Sequence, residues 1–482
     1  MTEAADVLVV GAGPTGLLLA GDLATAGVRV TLLERREHAD ANMTRAFAVH
    51  ARTLEVLDAR GLADELIPLG RTAPVVGVFG RLELHLHRLR SRFPFVLITP
   101  QYNVEGLLER RALAAGVRIV RGAEVVALRQ RSDAVEVDTA GQGGFGARYL
   151  VGCDGVRSAV RRLTGIGFPG RSVVKSVMLA DVRLKDVPVD AVTTHANEHG
   201  FASLVPFGDG WYRAIGWVAG DERSDEAPVV PEELAEQLRR VLGSDYGMHD
   251  PRWISRFHSD ERQAERYREG RVLLAGDAAH VHSPAGGMGM NTGLQDAANL
   301  GWKLAAVVQG RAGEPLLDSY EQERHPVGKQ ALRISGAITR GVLGTRRSGR
   351  VRQLRGLVMP VVSRLSSATL LGSACLRRRH LLPGAARQPP AHRPPGARPA
   401  ARGRTAAVRR AARRPFRADH PGPAGAGDAV AAPRRPAGSL RTTLLVRPDG
   451  HIAWAADDLD DLDDLDTEGL RAELERWPAA DR

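Results

Sequence analysis

The sequence predicts an α/β protein in which one parallel-sheet domain is interrupted by a β-rich insertion. Three observations lead there. A short apolar strand (7–10) runs into Gly11-Ala12-Gly13-Pro14-Thr15-Gly16, then into a helix (16–26) and a second strand (28–34), which is a βαβ unit. The same texture returns at 149–158 and at 271–308. Between those returns, 174–218 changes to alternating β.

The helix at 16–26 has apolar residues at Leu17, Leu19, Ala20, Leu23 and Ala24 and stops at Gly27. Further helices are expected at 51–57 and 101–115. Short strands at 117–120, 125–128 and 135–137 read as a meander, followed by a strand at 149–151. In the insertion, strands at 201–205 and 211–218 flank the turn Phe207-Gly208-Asp209-Gly210. A helix at 231–242 opens with proline in its first turn, and 253–257 reads as a strand. The first pattern then resumes with a strand at 271–275, a glycine-rich loop and a helix at 291–308.

Composition removes several classes of function. The net charge is +11, yet 15 arginines and only two acids (Asp419, Asp428) fall between 377 and 435. The remainder carries 52 basic and 54 acidic residues, so the body is near neutral and no nucleic-acid partner is expected. The basic stretch has one aromatic residue, Phe416, and lacks the interleaved rings that base stacking needs. No run of about 18 apolar residues predicts a membrane span. The acidic N-terminus does not resemble a secretory signal. Two cysteines, Cys153 and Cys375, give no disulfide framework and fit a reducing cytoplasm.

The glycine loop sits where its mechanism requires, after a strand and at the start of a helix. Gly11 permits the turn, Gly13 lets backbone approach a pyrophosphate, and Gly16 lets helix and strand pack closely. Pro14 and Thr15 complete the loop as further cofactor-binding candidates, and the N-terminal N–H groups of the helix that follows suit phosphate. Glu34, with Arg35 beside it, ends the second strand where a carboxylate accepts from ribose hydroxyls. The second signature is Asp154-Gly155-Val156-Arg157-Ser158, which equally fits an Asx-turn with an N-cap. The third is Gly276-Asp277, followed by Pro284-Ala285-Gly286-Gly287-Met288-Gly289-Met290-Asn291 running into a helix. Such a helix N-terminus stabilises negative charge on a ring placed against it. Three sites at these separations describe one extended dinucleotide, FAD, bound by a Rossmann-like (GR2-type) domain. Gly141-Gln142-Gly143-Gly144-Phe145-Gly146 fits the same glycine pattern but lies between two strands, so it reads as a hairpin loop. No metal site is expected, because His280 and His282 lack a supporting Cys, Asp or Glu cluster. No nucleophile elbow or Ser-His-Asp order is present. Arg213 is a candidate substrate contact or a solvated strand arginine, and Trp211 and Trp217 read as sheet packing.

On these motifs the sequence resembles the class A flavoprotein monooxygenases with the para-hydroxybenzoate hydroxylase fold. Within that class it is most similar to the aromatic-polyketide hydroxylases and rifampicin monooxygenases. The resemblance covers about 4–335 and implies tightly bound FAD, transient NADPH or NADH, and O₂. It implies oxygenation of a large aromatic substrate through a flavin C4a-hydroperoxide. It places Arg45, in Thr44-Arg45-Ala46, near the flavin ring as the catalytic candidate, and Gln101 against the ribityl chain. It assigns Asp154, Gly155 and Arg157 to the pyrophosphate and NAD(P)H, and Asp277 beside Gly276 to a ribityl oxygen. It has Pro284, Gly287, Gly289, Met290 and Asn291 line the ring, with Pro284 and Ala285 also near substrate.

The expected domains are an FAD domain (1–173 and 267–335), a substrate-binding sheet (174–266, with 74–100 contributing) and a helical segment (336–372). The stretch 373–440 is rich in Arg, Pro, Ala and Gly. It cannot bury enough apolar area to offset its ordering entropy. It reads either as a GC-rich gene out of frame or as a basic arm. Patterned sequence at 441–482 resembles the end of a thioredoxin-like C-terminal domain, so the C-terminal region is expected to be degenerate or disrupted. Three alternatives stay open: Baeyer–Villiger oxygenation, an FAD-binding protein without turnover, and monomer against homodimer. A flavin halogenase is disfavoured by the absence of a W-x-W-x-I-P segment. Arg45→Ala is expected to slow flavin reduction or product formation more than it weakens FAD binding. Stopped-flow reduction compared with flavin occupancy measures this, and wild-type turnover would remove Arg45 from the mechanism.

Overall fold

The computed structural model describes residues 5–38, 46–78, 82–89, 91–188, 192–224, 226–343, 442–446, 449 and 452–457. They fall into two compact units, one within 1–308 and 315–378, the other within 309–314 and 379–482. The expected segment 373–440 and the residues after 343 in the helical segment lie outside the described residues.

The first unit has eight helices among its described residues: α1 (Pro14–Thr25), α2 (Ala51–Asp58), α3 (Ala63–Leu66), α4 (Gln101–Ala114), α5 (Ala159–Leu163), α6 (Pro231–Leu242), α7 (Met288–Val308) and α8 (Pro315–Leu343). Its first sheet runs Arg268–Glu269, Val272–Leu274, Tyr149–Gly152, Val7–Val10, Val30–Glu34, Arg118–Arg121. All neighbours are parallel except the first pair. The strand Val7–Val10 is wholly buried, as a continuous apolar run in a parallel sheet requires. Helices α4 and α7 flank α1. The carboxyl ends of three central strands lead into the three signatures, where an open parallel sheet places its ligand.

The second sheet is antiparallel. Its order is Thr193–Asn197, Gly200–Pro206, Tyr212–Val218, Gly170–Arg183, His249–Gln263, His280–Val281. It begins at Gly170 rather than 174 and takes its last strand from between the two parts of the third signature. The strand expected at 253–257 is much longer, because it pairs along nearly all of Gly170–Arg183. The 74–100 region forms separate small sheets and adds no strand to this one. One face of the sheet carries Met178, Ala180, Val182, Ala202, Leu204 and Ala214 against Leu234, Leu238 and Val241 of α6. That helix follows dipole and capping rules: Pro231 opens it, Glu232 and Glu233 fill its first turn, and Arg239 and Arg240 its last. It ends at Gly243 with φ +83°.

The second glycine run is a loop only at Gly141-Gln142; Gly143–Ala147 is itself a strand, paired antiparallel with Val135–Ala140. In the second unit, Thr442–Val446 pairs antiparallel with Ile452–Asp457. Among the described residues no helix is long and apolar enough to cross a membrane.

At Gly16 a Cβ would overlap the Gly11 carbonyl oxygen and lie 3.2 Å from the Cys153 Cβ. Both neighbours belong to the sheet-end framework, so α1 would have to lift. Gly16→Ala is expected to cost about 1–3 kcal/mol, the usual range for overpacking, read as a lowered midpoint in thermal unfolding. An unchanged midpoint would show that α1 can shift freely.

Candidate functional site

A cleft of about 550 Å³ opens where the three signatures meet. Of the residues singled out in the sequence, it is lined by Gly11, Gly13, Pro14, Thr15, Glu34, Arg35, Gln101, Asp154, Gly155, Arg157, Asp277, Pro284, Gly287, Gly289 and Met290. Phe257, His258, Ser259 and Asp260 of the antiparallel sheet close another side. Arg45 lies outside the described residues.

The signatures touch through glycines. Gly11 has φ +105°, and a Cβ there would meet the Cys153 carbonyl oxygen at 2.5 Å. Gly276 has φ +63°, and a Cβ there would meet Thr15 Oγ1 at 2.7 Å. A Cβ at Gly293 would overlap the same Oγ1. Gly16 and Gly276 therefore stand one layer behind the cleft wall as packing contacts.

Helix α1 starts after Gly13 without a side-chain cap, which leaves its first N–H groups for an anion. Glu34 is buried and already engaged. Its Oε2 accepts from the Ala12 amide at 2.7 Å, and its Oε1 accepts from the Arg36 amide and Nε, each at 2.9 Å. Burial pushes the Glu34 carboxyl up, but Arg36 and the two amides outweigh it and hold the group below its ordinary value. Arg36 was not singled out in the sequence. The signal was a second arginine two residues beyond the strand's final carboxylate.

Asp154 does two jobs. Its Oδ2 accepts from the Ala159 and Val160 amides at 2.7 and 3.1 Å, capping α5, while its buried Oδ1 has no partner. Burial raises its pKa. Ser158 caps the same helix by accepting from the Arg161 amide. The N-cap reading of this signature therefore holds alongside its place in the cleft. Arg161, expected with Ser158 at this helix start, stacks 3.7 Å from the centre of the Phe168 ring. It donates to the carbonyls of Val156 and Ala278, tying the second signature to the third.

Beneath the third signature lies a buried ion cluster. Asp296 accepts from the Gly276 amide (3.1 Å), from Arg324 Nε (2.6 Å) and from His280 Nε2 (2.6 Å). It fixes the residue before Asp277. His280 is thus a core residue, and no metal-holding group of His, Cys, Asp or Glu occurs among the described residues.

Helix α7 begins at Met288, three residues before the sequence placed it. Gly286 and Gly287 take φ +85° and +62°, so the turn is completed early. The first turn of α7 therefore lines the cleft through Met288, Gly289 and Met290. Asn291 does not line it. Its amide donates to the Ala48 and Gly287 carbonyls and its oxygen accepts from the His50 amide. It is a positioning residue that staples 48–50 to the glycine loop. Ala285 also stands outside the lining.

Arg213 is the clearest correction. It is about 1% exposed and paired in two-point fashion with Asp181 at 2.8 and 2.9 Å, among Phe47, Phe207 and Trp253. It does not line the cleft, and it is not solvated. Strand alternation gave no warning, because the partner Asp181 comes from a strand 32 residues earlier. Trp217 packs on the sheet as expected, whereas Trp211 lies under the Arg252 guanidinium at 3.7 Å.

Comparison with known proteins agrees with this geometry. A family described as FAD binding domain matches residues 4–335, and one described as aromatic-ring hydroxylase, C-terminal, matches 382–480. The chain belongs to the FAD-dependent aromatic-ring monooxygenases. Its C-terminal match runs through most of the arginine-rich stretch, which by position stands in that family's C-terminal domain. Rifampicin monooxygenase of Streptomyces venezuelae is 45% identical over 68% of this chain and 69% of its own length. Anhydrotetracycline monooxygenase of Streptomyces rimosus is 43% identical over 69% of each chain. The solved structure of an anhydrotetracycline hydroxylase from Streptomyces rimosus aligns with a TM-score of 0.76 at 33% identity. That alignment covers 99% of this chain and 100% of the other. As in other FAD-dependent monooxygenases, the reductant is NAD(P)H and the oxidant O₂.

The cleft fits FAD on this structure's own evidence. At Gly13 and Gly155 a Cβ would stand in open space on the cleft side, where a ligand can close on backbone, and α1 offers uncapped N–H groups.

Two buried histidines, His282 in the cleft wall and His50 beside Gly287, set an acid limit. Burial lowers His50 and His282 to about 4, so both stay neutral in the folded protein. In the unfolded chain they titrate near 6.5. Their stabilising contribution is full above about pH 6.5 and is lost as pH falls toward 4. The melting temperature is expected to fall across that window, and His50→Gln is expected to flatten the fall. A melting temperature that is flat from pH 7 to 4.5 would contradict the buried neutral state.

Proposed function

We propose that this monooxygenase hydroxylates a large aromatic substrate of the polyketide or ansamycin kind. The observation that carries the proposal is the sheet face opposite α6. Val174, Val177, Leu179 and Phe257 form an apolar cluster there, with Ile215, Trp217 and Trp253 packed around it. Phe257 also lines the cleft, so this face continues the site itself. A broad apolar and aromatic wall suits a flat polycyclic ligand.

The residue roles follow from chemistry. The first turn of α1 binds the diphosphate, and Glu34 accepts from ribose. Asp277 accepts from the ribityl chain, and Gln101, whose Nε2 donates to Glu105 at 2.8 Å, borders it. The first turn of α7 favours negative charge on the pyrimidine edge of the ring. Arg35 and Arg157, at the cleft margin, face the anionic nicotinamide dinucleotide, which docks without a second dinucleotide fold. Bound FAD supplies two-electron reduction by NAD(P)H and the activation of O₂. The protein's part is to position substrate and exclude water. The two cysteines fit a cytoplasmic enzyme.

The test is NADPH and NADH oxidation by the holoenzyme against a panel of anthracycline-type polyketides, anhydrotetracycline and ansamycins, with product mass measured. Substrate-stimulated oxidation coupled to addition of one oxygen atom is expected. Stoichiometric flavin with no stimulation across the panel would overturn the substrate class. In the same preparations Asp277→Ala is expected to lower flavin occupancy at least tenfold, and unchanged occupancy would remove Asp277 from the site.

A further inference from the structure

His282 follows the third signature by five residues and stands in the cleft wall, only 8% exposed. Its Nδ1 lies 3.3 Å from the Ser283 carbonyl oxygen. A carbonyl can only accept, so Nδ1 carries the proton and Nε2 presents a bare lone pair. That Nε2 is buried and has no partner. The ring cannot readily turn to find one, since it lies parallel to His280 at 6.1 Å and 3° between planes, and His280 is fixed by Asp296. Burial holds the ring neutral.

An unpaired buried acceptor costs about 1–3 kcal/mol, whereas an apolar side chain of similar size would cost nothing at this position. The surroundings define the missing donor. A Cβ on Gly289 would lie 3.8 Å from His282 Cε1 and 3.9 Å from Asp277 Oδ1. The imidazole and the carboxylate thus flank one backbone position in the first turn of α7, and both line the cleft. A ligand hydroxyl that meets the Nε2 lone pair therefore stands close to the Asp277 carboxylate, and a chain of neighbouring hydroxyls, a polyol, fits that position.

We propose that His282 Nε2 accepts a hydrogen bond from a hydroxyl of the flavin's polyol chain, as a second anchor beside Asp277. This rests on the FAD site described above. It adds a residue whose role composition and spacing did not reveal.

Full-length apoprotein titrated with FAD, followed by flavin fluorescence, tests it. His282→Leu is expected to raise the FAD dissociation constant about tenfold, while His282→Gln, which keeps an acceptor, stays within about threefold of wild type. Apo His282→Leu is expected to melt no lower than wild-type apoprotein, yet to gain less from added FAD. A merely structural histidine would do the reverse. In wild-type protein with ¹⁵N-labelled histidine, the Nε2 resonance missing from His282→Gln is expected to move upfield when FAD binds. Unchanged FAD affinity in His282→Leu, or an unmoved resonance, overturns the proposal. Failure of wild-type apoprotein to bind FAD would instead overturn the site itself.

Discussion

The structure depends on close approaches where no Cβ fits, backbone on backbone at Gly11 and Gly16 and backbone on the Thr15 side chain at Gly276 and Gly293. Gly11 lies against the Cys153–Asp154 peptide, Gly16 against the Gly11 carbonyl, and Gly276 and Gly293 against Thr15. These contacts bring segments more than a hundred residues apart into one wall. A side chain at any of them would overlap its neighbour and push the packed segments apart. The loops would remain glycine-rich, but they would no longer describe one ligand. Positive φ at Gly11 and Gly276 makes the same demand independently, since the left-handed region is open chiefly to glycine.

A cluster of charges set in the core holds that junction from below. Asp296 accepts from the Gly276 amide and from His280, and its charge is met by Arg324. Taking such a group out of water is costly, and removing one partner leaves an uncompensated buried charge. The gain is positional. The amide next to Asp277 is held by a carboxylate on α7, and α7 presents its first turn to the same cleft. Asn291 does the equivalent on the other side by bonding to 48–50 and to Gly287. Helix α7 thus carries both staples and the site's terminal dipole, so a tilt of this helix would disturb all three together.

Much of this was legible in the sequence, for local reasons. Apolar runs ending in glycine placed the strands Val7–Val10 and Tyr149–Gly152, and proline with a terminal glycine placed α6 within a residue. Glycine spacing gave the three signatures. Long-range pairing escaped. Arg213 could not be assigned because Asp181, its partner, lies on another strand. Arg36 was missed because its role depends on the fold of the chain around Glu34. The start of α7 was placed late because consecutive left-handed glycines complete a turn that composition alone reads as loop. The length of His249–Gln263 depends on the strand it pairs with rather than on its own polar, alternating residues.

Among the described residues, four buried polar atoms without protein partners belong to cleft-lining residues: Arg36 Nη1, Asp154 Oδ1, Ser259 Oγ and His282 Nε2. Elsewhere in this region polar groups are spent internally, as with both ends of the Asn291 amide and the Arg213–Asp181 pair. The contrast is energetic. An internal pair contributes its modest net stabilisation whether or not a ligand is present, whereas a buried group left unpaired carries a desolvation cost until something meets it. Cations and hydroxyl donors meet phosphate and ribose oxygens, and bare acceptors meet hydroxyls, so the four atoms suit different stretches of one long ligand. Part of the affinity for the dinucleotide then comes from relieving costs that the folded chain already bears. Glycines close the walls of this cleft, the charge cluster holds them in place, and the unpaired atoms make the filled cleft the more stable state.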